Sequence, residues 1–167
     1  MNIQEPGLRM RFVEAMSRVA CTVHLVTTDG PAGRAGVTVS AMASVSADGD
    51  RPTLLVCLNR ANASTAAVLA NGVFCVNVLR DGQSGLSDSF AGSRKGEDKF
   101  SQGRWTSHVT GAPRLADALV AFDCRLTAHN SIGSHAVLFG AVEDVFLSGQ
   151  GMPLLYVGRA YAVPRTD

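Results

Sequence analysis

One uncharged run of small and β-branched residues, GVTVSAMASVS at positions 36–46, most constrains what this chain can fold into. Its alternation of small, branched and hydroxyl residues is typical of a pleated strand. Hydroxyl groups recur at Thr38, Ser40, Ser44 and Ser46, so one edge of the strand would present hydroxyls and backbone N–H groups to a flat ligand. The same run also fits an ordinary half-buried strand with its hydroxyls in water, and by itself it does not decide between the two.

The bulk composition indicates a single folded domain over residues 1–167. The chain is 46% hydrophobic and only 17% charged, which argues against disorder and allows a sizeable core. A net charge of +1 gives no electrostatic reason to expect nucleic acid or an anionic membrane as a partner. We find no signal-like start and no apolar run long enough to span a bilayer, and therefore expect a cytoplasmic protein without membrane contact.

The four cysteines indicate structural roles rather than chemistry. Cys21, Cys57, Cys75 and Cys124 are far apart, without a C-x-x-C pair or a histidine at zinc spacing, so no metal site is expected. Three of them lie in apolar runs, where a free cysteine behaves as a small hydrophobic residue. Reduced thiols are expected in a cytoplasmic protein.

Hydrophobic periodicity predicts many strands and few helices. Helices are predicted at 8–19, 62–70 and 83–90, the first with Leu8, Phe12, Met16 and Val19 at helical spacing. Strands are predicted at 21–28, 36–46, 52–59, 72–79, 119–128, 135–147 and 154–162, with a hairpin turn at 29–33. The absence of strand–helix–strand alternation favours a mainly β, closed barrel over a doubly wound sheet. His24, on the first strand, is expected to face solvent or a neighbour and to carry no chemistry.

The catalytic motifs of many enzyme classes are missing from the chain. Gly30, Gly33 and Gly36 give G-x-x-G-x-x-G in a hairpin, which is not the dinucleotide fingerprint. There is no phosphate-binding loop, no G-x-S-x-G elbow and no H-E-x-x-H. Because the side chains offer no convincing catalytic set, an enzyme of this sequence needs a bound organic cofactor. The start of the second helix, capped by Asn62 or Ser64, would suit a cofactor phosphate or serve only as a cap.

An ordered series of short motifs accompanies the central run. They are PTLLVCLNR at 52–60, FCVNVL at 74–79, LSDSFAG at 86–92, KF at 99–100, Trp105, TGAP at 110–113, AFDC at 121–124, IGSH at 132–135 and PLLY at 153–156. In this order and spacing the chain resembles the short-chain flavin reductases, from about position 9 to 164. These are the reductase partners of two-component flavin monooxygenases, including the pyrimidine-utilisation and 4-hydroxyphenylacetate types. The resemblance implies the split β-barrel of FMN-binding proteins, with short flanking helices, built as a homodimer.

The resemblance also implies where a flavin would lie. Thr38, Ser40 and Ala41 would line its ring, and Ser44, Val45 and Ser46 would meet its polar edge. The ribityl chain and phosphate would follow Cys57, Leu58, Asn59 and Ser64. Phe90 and Ala91 would close over the flavin, and Lys99 would meet a phosphate oxygen. The loop at 47–51 departs from the family, which usually has a shorter loop ending in Pro-Pro. The resemblance therefore does not predict the shape of the flavin edge beside Ser46.

His135 is the strongest single candidate for a catalytic role. It follows Ile132, Gly133 and Ser134, which match the family's Gly-x-His at the nicotinamide site, and it would position the nicotinamide. Arg159 and Tyr161 are placed near the same site by the resemblance. His108 and His129 are assigned no role.

The implied activity is an NAD(P)H-dependent flavin reductase that supplies reduced FMN or FAD to a partner monooxygenase. The sequence chooses neither between FMN and FAD nor between NADH and NADPH. One alternative is a reductase that holds FMN tightly and passes electrons to another acceptor, such as a cobalt corrinoid. The other is a flavin-binding module without catalytic activity.

Overall fold

The structure is a computed structural model and describes residues 7–92 and 98–165. Within these ranges, helices α1 to α3 span Leu8–Ser17, Ala63–Asn71 and Ser84–Phe90, and a 3-10 turn spans Lys99–Ser101. Strands β1 to β6 span Cys21–Thr22, His24–Thr28, Ala35–Val39, Met42–Ser46, Thr53–Asn59 and Val73–Val78. Strands β7 to β12 span Trp105–Ser107, Pro113–Leu115, Val120–Ile132, His135–Leu147, Leu155–Val157 and Ala160–Ala162. The chain is therefore mainly β with short helices, as its periodicity predicts.

The main sheet has seven antiparallel strands in the order β3-β2-β6-β9-β10-β5-β4. Strands β3 and β4 follow each other in the chain, yet they form the two opposite edges of this sheet. Only Ser40 and Ala41 join them, so the sheet must curve to bring the end of β3 close to the start of β4. The amide of Cys57 donates to the carbonyl of Ala41 at 3.0 Å beside this junction, and β3 comes close to β5.

Three runs predicted as single strands are divided in the structure. The run at 36–46 breaks at Ser40 because Val39 pairs with β2 whereas Met42 pairs with β5. The run at 21–28 breaks at Val23, since β1 joins β11 and β12 in a separate three-stranded sheet. The run at 154–162 is the β11–β12 hairpin. Hydrophobic alternation does not reveal where a strand changes its partner, so these three predictions were wrong in extent.

Both faces of the central strands are buried. Along β2, Val26 packs into a cluster with Val56, Phe74 and Leu138, while Leu25 faces a second cluster on the other side of the sheet. All residues of β2 and β6 are buried. This explains why β6, VFCVNV, is a nearly continuous apolar run, whereas the buried threonines of β2 donate hydrogen bonds to backbone carbonyls.

Helix α1 ends at Ser17 and buries none of its residues. The predicted apolar face is present, but Leu8 is 82% exposed and Phe12 is 63% exposed. The helix is attached through the amide of Gly158, which donates to the carbonyl of Ser17 at 2.6 Å, and through an ion pair between Glu14 and Arg159. Its apolar face is therefore not part of the core of a single chain.

The cysteines agree with the structural roles expected from sequence. All four are free; Cys75 and Cys124 are buried, and Cys21 and Cys57 are half-buried. Burial raises the pKa of the Cys75 thiol well above its usual value, so this thiol stays protonated. Across 7–92 and 98–165, no group of histidine, cysteine and acidic residues is arranged to hold a metal ion. None of the helices in the same ranges has the length and apolar character needed to cross a bilayer.

The loop at 47–51, which is longer than the family usually has, is anchored at its end by a nearly buried carboxylate. The side chain of Glu143 is 8% exposed and forms ion pairs with the guanidinium groups of Arg51 and Arg125. The amide of Val142 donates to the carbonyl of Pro52 at 2.8 Å. The loop is thus fastened to β10 by charge and by backbone pairing.

His24, expected to face either solvent or a neighbour, is buried against its neighbours. Its residue exposure is 1%, and its Nε2 lies 2.8 Å from the hydroxyl of Thr22. Nδ1 has no hydrogen-bond partner among the described residues. Burial lowers the pKa of His24 to about 4.

The buried imidazole predicts a defined pH dependence of stability. Because the pKa of His24 falls from 6.5 in the unfolded chain to about 4 in the folded chain, the unfolded state takes up the proton first on acidification. Stability present above pH 6.5 should therefore fall by up to about 1.4 kcal/mol per pH unit between these two values. We would measure the free energy of unfolding by urea at several pH values in this range. Its slope against pH should be smaller for His24→Gln than for wild type. The exposed-site variant His129→Gln should keep the wild-type slope, and equal slopes in all three proteins would contradict the assignment.

Candidate functional site

A cavity of about 480 Å³ lies at the end of β3, where the two sheet edges meet. It is within the range of volumes typical of small-molecule sites. The predicted site residues that line it come from three distant parts of the chain: Thr38, Ser40, Ala91, Arg159 and Tyr161. Val23, Val39, Asp88, Tyr156 and Ala160 complete the lining. The structure thus brings together residues that the sequence places more than a hundred positions apart.

The wall of this cavity is fixed by helix α3. The hydroxyl of Tyr161 donates to Oδ1 of Asp88 at 2.6 Å and lies 3.0 Å from Oγ of Ser87. The hydroxyl of Thr38 donates to the carbonyl of Ser87 at 2.6 Å. Partial burial, followed by the hydrogen bond with Asp88, raises the pKa of Tyr161, so the phenol remains neutral near pH 7. Ser87 and Asp88 were not predicted as site residues, although they belong to the LSDSFAG motif.

Phe90 is not among the residues that line this cavity. Its ring is fully buried and packs against Phe100 and Trp105, with ring centroids 5.1 and 5.5 Å away. Gly36 of β3 lies directly against this ring, with no room for a side chain between them. The amine of Lys99 donates to the carbonyl of Phe90 at 3.3 Å, at the end of α3. Phe90 and Lys99 therefore contact each other at the end of α3 without lining the cavity. Of the predicted closing pair, only Ala91 lines it.

A second cavity, of about 530 Å³, lies along β4. The predicted flavin-edge residues Ser44, Val45 and Ser46 line it together with Ala47 and Pro52 of the departing loop. The hydroxyl of Ser46 accepts a hydrogen bond from the amide of Asp48 at 3.0 Å. The longer loop is therefore folded back on Ser46, and its shape forms one rim of this cavity.

The predicted ribityl and phosphate residues run along β5 into α2. The side chain of Leu58 is in the core at 1% exposure, so only its backbone can meet a ligand. Asn62 caps α2 by accepting from the amide of Ser64 at 2.9 Å, and the hydroxyl of Ser64 donates to the carbonyl of Gly36 at 2.9 Å. The hydroxyl of Ser64 thus joins α2 to β3, and its amide is used in the cap. Cys57 is half-buried and Asn59 is exposed at the strand end.

His135 lies at the far end of this row, at the start of β10. It pairs in register with Asn59, and its Nδ1 is 2.9 Å from the hydroxyl of Ser134. The guanidinium of Arg60 donates to the carbonyl of Gly133 at 3.3 Å and fixes the preceding turn. The imidazole is exposed and lines neither of the two cavities described above. The structure therefore groups His135 with Asn59, and Arg159 with Tyr161, at separate positions.

Comparison with known proteins gives one consistent result. Residues 16–164 match the family described as "Flavin reductase like domain". A protein of Methylorubrum extorquens named "FMN reductase (NADH) RutF 1" is 52% identical over 155 residues, which are 92% of this chain and 76% of that protein.

Two solved structures are similar in fold over most of their length. A structure from Haemophilus somnus 129PT assigned to the flavin reductases is 39% identical with a TM-score of 0.87, and the match covers 93% of this chain and 98% of that one. A homolog of nitrilotriacetate monooxygenase component B from Mycobacterium thermoresistibile is 26% identical with a TM-score of 0.86, covering 94% and 87%.

The close approach of Gly36 and Phe90 yields a stability prediction. A Cβ at Gly36 would lie 2.6 Å from Cε1 of Phe90, whose ring is enclosed by other aromatic rings. Gly36→Ala should therefore lower the free energy of unfolding by about 1–3 kcal/mol. Gly85→Ala is the matched control, because that position is helical, has open space and should gain up to about 1 kcal/mol. Thermal unfolding of both variants tests this, and a Gly36→Ala protein as stable as wild type would contradict it.

Proposed function

Because the chain belongs to the flavin reductase like domain family, we propose that it is an NAD(P)H:flavin oxidoreductase that transfers hydride from a reduced nicotinamide to a flavin. The observation that carries this proposal is the cavity at the junction of β3 and β4. Small residues line it at Ser40 and Ala91, and the hydroxyl of Tyr161 on its wall is already hydrogen-bonded to Asp88. A site of this kind positions rings and leaves the reaction to a cofactor.

The residues around the junction fit a flavin. Ser40 and Ala41 lie between strands, are exposed and carry small side chains, so a flat ring can approach the backbone. When bound, the flavin ring supplies the hydride-accepting chemistry. Thr38 and Tyr161 would hold one side of it as neutral groups fixed by α3. FMN and NADH are the favoured pair, since the relative at 52% identity is named for them.

The same site supports the finer architecture that we propose. The meeting of β3 and β4 at Ser40 and Ala41 favours the split β-barrel form of this sheet. A second copy of the chain would cover the apolar face of α1, because a helix of ten residues without buried contacts is marginal in water. We therefore propose a cytoplasmic homodimer. The name of the structure from Mycobacterium thermoresistibile favours a monooxygenase as the partner that receives reduced flavin.

Oxidation of NADH by the purified protein tests the proposed function directly. We expect oxidation that depends on added FMN and saturates with it, because a reductase that serves a separate oxygenase releases its flavin. Turnover that ignores added flavin would instead favour a fixed FMN with another acceptor, such as a cobalt corrinoid. Flavin binding without any oxidation of NADH or NADPH would leave only a flavin-binding module.

The position of His135 predicts a selective kinetic effect. If its imidazole orients the nicotinamide, His135→Ala should raise the KM for NADH by about tenfold, the loss of one good hydrogen bond, while the affinity for FMN changes little. Steady-state kinetics and flavin fluorescence titration measure the two quantities. His129→Ala, on the neighbouring strand of the same hairpin, is the control and should behave as wild type. An unchanged KM for NADH in His135→Ala would remove this residue from the site.

A further inference from the structure

A basic groove of about 810 Å³ runs along helix α1 and is bordered by Arg159 of the β11–β12 turn. We define this basic groove by its lining residues: Arg9, Met10, Arg11, Val13, Glu14, Ala15, Arg18 and Arg159. Among the described residues, its lining includes four arginines and a single carboxylate, on a chain whose net charge is only +1. Its lining combines these charged groups with the apolar side chains of Met10 and Val13, and it does not include Leu8, Phe12 or Met16.

The single carboxylate serves two of the four arginines. Glu14 Oε2 lies 2.8 Å from Nη2 of Arg159, and Glu14 Oε1 lies 3.4 Å from Nη2 of Arg18. The hydrogen bond and charge of Arg159 lower the pKa of Glu14, which keeps this carboxylate ionised. In the parts of the chain that the structure describes, neither Arg9 nor Arg11 forms an ion pair. Positive charge in the groove is therefore compensated only in part, which suits an anionic ligand with several phosphate oxygens.

Arg159 has a backbone conformation that arginine rarely adopts. Its φ is 62°, and that of Gly158 before it is 60°, so both central residues of the β11–β12 hairpin turn are left-handed. Turns of this kind favour glycine or asparagine at both positions. A strained arginine at such a turn is a feature that points to function, because glycine would fit the same backbone without strain.

Arg159 also connects the basic groove to the candidate site. The same residue lines the groove and the cavity that contains Thr38 and Tyr161. A ligand whose ring lies in that cavity can thus extend past Arg159 onto α1. NADH and FAD both consist of a reactive ring joined through two phosphates to adenosine, whereas FMN ends at its own phosphate.

We propose that the basic groove binds the adenosine diphosphate part of a dinucleotide whose ring occupies the adjacent cavity. Arg159, Arg11 and Arg18 contact the phosphates, and Glu14 holds the guanidinium groups in place until the phosphates arrive. Met10 and Val13 offer apolar surface to the adenine. This inference rests on the proposed function for its ring site, but the affinity for ADP tests the groove without any turnover.

The first experiment measures ADP binding by calorimetry, with the double variant Arg11→Gln and Arg18→Gln. Wild type should bind ADP, and the double variant should bind it about tenfold more weakly, the loss expected for charge-assisted hydrogen bonds. The control removes two exposed arginines away from the groove, Arg104→Gln and Arg165→Gln, and should bind as wild type. Absence of ADP binding, or an equal loss in the control, would overturn the proposal.

Kinetics then distinguish the two sources of the adenosine diphosphate. With FMN as acceptor, the double variant should raise the KM for NADH but leave that for reduced nicotinamide mononucleotide unchanged, if NADH occupies the groove. If FAD occupies it, the KM for FAD should rise while NADH with FMN is unaffected. The proposal would be overturned if the KM for reduced nicotinamide mononucleotide, with FMN as acceptor, rose as much as that for NADH. It would also be overturned if the KM changed for no dinucleotide. A wild type that binds ADP but oxidises no NADH would refute the proposed function and leave the groove intact.

Replacement of the strained arginine gives an independent test. Arg159→Gly removes the guanidinium but relieves the left-handed backbone, so the melting temperature should be maintained or raised while ADP binding weakens about tenfold. Arg159→Lys should recover part of the affinity, because it keeps the charge without the planar fork. A purely structural arginine would instead give a lower melting temperature with unchanged ADP affinity, which would contradict its role in the groove.

Discussion

The rest of the structure depends on the two-residue junction between β3 and β4. Ser40 and Ala41 connect opposite edges of a seven-stranded sheet, so the sheet has to curve around its own core. This curvature brings the end of β3 next to β5 and beside the hairpin β11–β12. The candidate site forms where the ladder of hydrogen bonds changes partners, because exposed small residues and a cavity occur together there.

Helix α3 turns this junction into a defined wall. The carbonyl of Ser87 accepts a hydrogen bond from the hydroxyl of Thr38, and the carboxylate of Asp88 accepts one from the hydroxyl of Tyr161. One short helix thus fixes residues from β3 and β12. Below them, Phe90 fills the space that Gly36 leaves open. Glycine at position 36 is therefore required by packing, and the beginning of the central sequence run owes its composition to the ring beneath it. The contact between Gly36 and Phe90 is therefore part of the core and also fixes the strand that lines the cavity.

Local sequence patterns predicted the elements well but could not predict their partners. The strands at 52–59 and 72–79 were found almost to the residue, because each is a continuous apolar run that stays in one sheet. The run at 36–46 has the same local character throughout, and only its pairing with β2 and then β5 divides it. The sequence left open whether His24 faces solvent or a neighbour for a related reason, since the residues that enclose it come from other strands. Of the ten residues that line the cavity, five are among those that the resemblance named, whereas the roles of Ser87 and Asp88 required the three-dimensional contacts.

The hydrogen bonds of the site favour positioning over proton transfer. The proton of Thr38 is directed to a backbone carbonyl, and that of Tyr161 is directed to a carboxylate while the raised pKa of the phenol keeps it in place. Groups whose protons already have acceptors provide fixed dipoles and a fixed shape, and they do not have to reorganise when a ligand reacts. Arg159 adds a positive charge at the edge of this rigid wall, held by Glu14 on a different element. The rigid wall would then orient a ring. The charged edge at Arg159 is the part of the site that can exchange partners, and it would select the group that is attached to that ring.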